Sequence, residues 1–118
     1  MLDIQPTGAA CGATVQGVDL SAPLTIETVD AIRKAWIEHQ VIVFPEQNLS
    51  DEDLVRITND LGSIGDDPYF VSINENTPVV ALTRRADEKA PVFAEVWHTD
   101  WSFKKEPPIG TCLYSLTI

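Results

Sequence analysis

The sequence has 118 residues and 13.0 kDa, 44% of it hydrophobic, with a mean hydropathy of −0.02 and 8 Lys+Arg against 18 Asp+Glu for a net charge of −10. That apolar content and length permit a buried core and argue against disorder throughout. The shortage of basic residues disfavours nucleic-acid phosphates and anionic membrane surfaces as partners.

Cys11 and Cys112 lie far apart and form neither a disulfide framework nor a CxxC zinc pattern. The opening MLDIQPTGAACGATVQ lacks a basic segment followed by an apolar run, so no signal peptide is visible. Apolar runs such as Val41–Pro45 fall far short of the roughly 20 residues that span a bilayer. A reducing, cytoplasmic setting is the expectation.

In chain order, Ala13–Gln16 is β-favouring and bracketed by Gly12 and Gly17. Thr25 is a candidate N-cap for a helix running to His39–Gln40, with Glu27 and Asp30 in its early turns and Ile26, Val29, Ile32 and Trp36 on one face. Val41–Phe44 is a run of consecutive apolar residues stopped by Pro45, the pattern of a strand buried on both faces. Ser50 with Asp53 three residues later resembles a capping box. Leu54, Ile57 and Leu61 give the stripe of a second helix, and Gly62 its stop.

Residues 63–70 read as loop, Pro78–Thr83 as a strand, Arg84–Lys89 as a charged exposed turn, and Gly110–Ile118 as an alternating strand. That last pattern runs to the final residue without turn, cap or polar tail. The sequence is therefore expected to be the N-terminal part of a longer protein.

Val96–Phe103 carries the one chemical constellation, His98-x-Asp100. Residues two apart on a strand point to the same side, so an imidazole and a carboxylate can converge on one ion. A mixed nitrogen and oxygen set suits Fe(II), and two His with one carboxylate form the facial triad of non-haem iron oxygenases. Alone, the motif also fits a surface hydrogen-bonded pair. Trp97, Trp101 and Phe103 around it suit either a water-excluding shell or plain core packing. His39, at a helix end, reads as structural.

The order of elements resembles the taurine/2,4-dichlorophenoxyacetate dioxygenase family of Fe(II)- and 2-oxoglutarate-dependent oxygenases. The resemblance rests on Gly12-Ala13, Gly17–Leu20, His39–Phe44, Gln47, Leu49–Glu52, Leu61-Gly62, Trp97–Asp100, Ser102-Phe103 and Pro107-Pro108. It covers nearly the whole chain.

The resemblance implies an α+β to mainly β fold, a double-stranded β-helix or jelly roll with flanking helices. Residues 1–118 would be the N-terminal part of a single domain. His98 and Asp100 would be two iron ligands. In the family the distal His, the Arg that holds the 2-oxoglutarate carboxylate and the Thr that contacts 2-oxoglutarate lie further downstream. The reaction would consume O2 and 2-oxoglutarate, release succinate and CO2, and hydroxylate an unactivated C–H bond of a small-molecule substrate. No residue of this chain is assigned a separate catalytic role.

In taurine-oxidising members a His and a Tyr after the second helix meet the sulfonate. The matching loop here holds Asp67 and Phe70. An aspartate would repel a sulfonate, which favours a cationic or neutral substrate, although Asp67 also reads as a solvated loop residue. Trp101 sits where family members place a substrate-facing residue, and would be core otherwise.

Two rival readings are an inactive fragment or non-catalytic interaction module, and a hydrolase using His98 and Asp100 with water. The latter lacks a nucleophile elbow or an HExxH pattern. The strand edges of a half-built roll invite association, which leaves a homo-oligomer open.

Overall fold

The computed structural model describes residues 1–67, 69–91 and 94–117. The chain divides into two compact units, Met1–Ser63 and Ile64–Ile118. The predicted strand at Ala13–Gln16 and both predicted helices lie in the first.

That unit opens with β1 (Asp3–Pro6) paired antiparallel to β2 (Ala13–Gln16), in a register that sets Ile4 opposite Val15. The Thr7 N–H donates to the Gly12 carbonyl at 2.9 Å and closes the turn between them. Helix α1 (Ile26–His39) then crosses to β3 (Ile42–Val43), which pairs parallel to β2. A parallel neighbour requires such a crossover, and a helix supplies it. The sheet order is β1-β2-β3.

Helix α1 starts where the Thr25 side chain accepts from the Thr28 N–H, and it carries Glu27 in its first turn. It stops at Gln40, whose positive φ of 67° turns the chain while its N–H still reaches the Trp36 carbonyl at 2.7 Å.

Helix α2 (Asp51–Leu61) has the predicted reciprocal cap. Ser50 Oγ accepts from the Asp53 N–H at 3.1 Å, and Asp53 Oδ2 accepts from the Ser50 N–H at 3.0 Å. No basic residue lies in the last turn of α2. Arg33, on α1, instead donates from Nη1 to the Leu61 carbonyl at 2.8 Å and places a cation at that negative end.

The core centres on Leu20, Ile32 and Ile57, with Leu2, Val18, Leu24, Ile42, Phe44, Leu49 and Leu61 packed around them. Two polar side chains tie the loops to it. Gln47 accepts from the Leu20 N–H and donates to the Val18 and Pro45 carbonyls. Arg56 donates to the Leu20 and Ala22 carbonyls and to Asp53.

Several expectations need correction. The Val41–Phe44 run is not a strand buried on both faces. Its paired part is only Ile42–Val43, and Val41 and Val43 are 54% and 55% exposed. The reason is topological: among the described residues β3 is the edge strand of the sheet, hydrogen-bonded on one side only. Ile26, counted in the apolar stripe of α1, is exposed because it sits at the first helical position, ahead of the buried Ile32 and Ala35.

Among the described residues neither Pro78–Thr83 nor Gly110–Thr117 forms a strand; Ile118 lies outside them. Alternating or apolar sequence makes a strand only where a ladder partner is present. Here the Ile73 N–H bonds the Val79 carbonyl and Asn74 bridges Thr77, but no ladder extends from them.

Candidate metal centre

The second unit holds His98, Asp100, Asp67, Phe70 and Trp101. Residues 96–100 form no strand, so the geometric premise for H-x-D is not met. The two side chains converge nonetheless, His98 Nε2 lying 3.1 Å from Asp100 Oδ1.

Each partner is held at its other polar atom. His98 Nδ1 lies 2.7 Å from the Val96 carbonyl oxygen. A carbonyl only accepts, so Nδ1 carries a proton, and Nε2 is the ring nitrogen turned toward Asp100. Asp100 Oδ2 accepts from Thr111 Oγ1 at 2.9 Å. The following turn is closed by Thr99 Oγ1 and Ser102 Oγ at 2.6 Å and by the Lys104 N–H to the Trp101 carbonyl at 3.0 Å.

A lone pair facing a carboxylate oxygen at 3.1 Å repels it unless a proton or a cation lies between them. Two donors each about 2.1 Å from an ion and at right angles are about 3 Å apart, so the spacing suits neighbouring positions on one metal. The backbone bond at Nδ1 is the outer contact that metal-bound histidines commonly make. The residues present therefore fit an Fe(II) ion. His98 and Asp100 would supply two ligands of such an ion, and no third His, Cys, Asp or Glu groups with them among the described residues.

The side chains of His98 and Asp100 are 45% and 49% exposed. Trp97 is fully exposed and Phe103 largely so, which fits neither a water-excluding shell nor core packing for these two. Trp101 is the half-buried member. Its ring stacks on Tyr69 with centroids 5.3 Å apart, meets Phe103 edge-on at 5.9 Å, and has Lys104 Nζ 5.9 Å from its centroid. Its backbone takes a φ of +54°, a left-handed conformation uncommon for a bulky residue, directly after Asp100.

Asp67 Oδ1 accepts from the N–H groups of Tyr69, at 2.8 Å, and Phe70, at 3.1 Å, and so shapes the turn that presents the Tyr69 ring to Trp101. Phe70 is half-buried. Sequence reasoning missed Tyr69 and Thr111. Tyr69 was adjacent to a predicted residue, whereas Thr111 carried no local signal because its partner is eleven residues away.

His39 belongs to the first unit. Its carbonyl accepts from the Gly12 and Val41 N–H groups at 2.8 Å each, and its Nε2 lies 4.0 Å from Glu38 Oε1, in keeping with a structural role.

A family model described as "Taurine catabolism dioxygenase TauD, TfdA family" matches residues 3–118. An (S)-phenoxypropionate/alpha-ketoglutarate-dioxygenase of Delftia acidovorans is 41% identical over 63 residues, which take in 53% of this chain and 21% of that protein. An alpha-ketoglutarate-dependent sulfate ester dioxygenase of Pseudomonas putida is 34% identical over 119 aligned positions, covering 98% of this chain and 37% of that protein. A crystal structure of a taurine dioxygenase from Burkholderia xenovorans superposes with a TM-score of 0.60 and 31% identity, over 70% of this chain and 31% of that one. The chain thus spans little more than a third, or less, of the length of these relatives. With a match that runs from Asp3 to Ile118, this chain belongs to the TauD, TfdA family.

Proposed function

We propose that the protein is an Fe(II)- and 2-oxoglutarate-dependent dioxygenase that hydroxylates a C–H bond of a small organic substrate. One C–H bond, one 2-oxoglutarate and one O2 give one C–OH, one succinate and one CO2. The observation that carries the reading is the 3.1 Å approach of His98 Nε2 to Asp100 Oδ1, with Nδ1 tied to the Val96 carbonyl. Family membership and the names of the relatives support the co-substrate.

His98 and Asp100 would hold the iron. The metal with bound 2-oxoglutarate would supply activation of dioxygen. The chain's own residues do the positioning. The Val96 carbonyl fixes the histidine tautomer, and Asp100 supplies the negative charge that favours a divalent cation.

Residues 1–118 are read as the N-terminal part of one jelly-roll domain, the remaining iron ligand and the 2-oxoglutarate-binding arginine coming from chain outside them. Asp67, Phe70 and Trp101 are read as the substrate side, with Asp67 contributing through the turn it forms. A carboxylate there opposes a sulfonate and favours a neutral or cationic substrate.

The test is 2-oxoglutarate turnover by the natural full-length protein under air with Fe(II), across a panel of sulfonates, sulfate esters, aryloxy acids and amines. Iron-dependent succinate formation stimulated by a panel member is the expected result. A protein that neither binds Fe(II) nor consumes 2-oxoglutarate contradicts the proposal.

A further inference from the structure

Burial alone does not hold the carboxylate of Asp100, since its side chain is about half exposed. Rotation about a terminal sp³–sp² bond is broad, so an unanchored aspartate samples many orientations of its two oxygens. Two contacts break that freedom here: Oδ1 faces His98 Nε2, and Oδ2 accepts the hydroxyl of Thr111. A threonine hydroxyl has one proton to donate, and an ionised carboxylate only accepts, so the direction of this bond is fixed. It is charge-assisted and hence stronger than a bond between neutral groups. It also joins the segment after Pro107-Pro108 to the turn that carries the dyad, across eleven positions of chain.

We infer that Thr111 is a positioning residue for the metal centre: by holding Oδ2 of Asp100 it aims Oδ1 at the place His98 Nε2 faces. The inference rests on the reading of His98 and Asp100 as metal ligands. Thr111 touches neither the ion nor the substrate in this account. Its effect is to raise the fraction of time in which the two donors are set for one cation. Loss of an outer-shell partner of this kind typically weakens metal binding by about 10- to 100-fold.

The experiment uses the full-length protein, with Mn(II) binding by titration and the visible absorption of the Co(II)-loaded protein as readouts independent of turnover. Thr111→Val keeps the shape and removes the donor. Thr111→Ala removes the donor with less bulk, and Thr111→Ser keeps it. The expected result is an Mn(II) Kd raised about tenfold or more in both donor-less variants. Their Co(II) band envelope changes, and both properties return in Thr111→Ser.

Because Thr111 is exposed, these substitutions have little core packing to disturb. Wild-type affinity and spectrum in a folded Thr111→Val or Thr111→Ala, with binding lost in His98→Ala and Asp100→Ala, overturns the role of Thr111 and leaves the ligand assignment standing. Wild-type binding in His98→Ala and Asp100→Ala overturns both.

Discussion

At the scale of single residues, the decisive features are those where one backbone or side-chain atom has a single acceptable partner. Gly17 has a φ of +80°, and a Cβ added there would sit 2.9 Å from the Met1 carbonyl oxygen. Gly17→Ala therefore combines left-handed strain with a backbone clash at the end of β2. We expect it to lower stability by about 1–3 kcal/mol, seen as a lower urea midpoint. Trp101 is the converse case, a bulky side chain kept at φ +54° and stacked on Tyr69. The approach of His98 to Asp100 was legible in the sequence because two donor types two residues apart form a pattern. The Thr111 contact was not, because a hydrogen bond across eleven residues leaves no periodic trace.

At the scale of elements, both helices follow their local chemistry closely. Thr25 and Ser50 cap α1 and α2, and the Ser50–Asp53 box closes in both directions. The N–H and then the hydroxyl of Ser50, with Arg56 adding to them, hold the Asp53 carboxyl below the ordinary carboxylate range. A carboxyl whose folded pKa lies below its unfolded value stabilises fully above the unfolded value, about 3.9 for aspartate, and loses this as pH falls through the lower folded one. Stability should thus decline below about pH 4, and Asp53→Asn should flatten that decline when urea midpoints are compared across pH. Ser50→Ala should cost about 0.5–2 kcal/mol at neutral pH, measured in the same way. The strands were less legible. The β2 segment was readable from its flanking glycines, but Pro78–Thr83 and Gly110–Thr117 have strand-like sequence and no ladder among the described residues. Pairing is a property of two segments, so one segment's pattern cannot specify it.

At the scale of the whole molecule, an acidic chain of net charge −10 carries its aspartate–histidine pair in the second of two compact units. No helix among the described residues is long and apolar enough to cross a membrane. The composition disfavours polyanionic partners, and the chain belongs to the TauD, TfdA family. The central claim is that His98 and Asp100 are ligands of one Fe(II) ion. It is tested most directly by anaerobic Fe(II) binding to the full-length protein and to its His98→Ala and Asp100→Ala variants, with succinate formation measured on the same samples. The account predicts one Fe(II) bound by the natural protein. It further predicts a loss of affinity beyond about 100-fold in each variant, more than an outer-shell partner gives, and no iron-dependent succinate in either. Retention of Fe(II) affinity and succinate formation in both variants would contradict it.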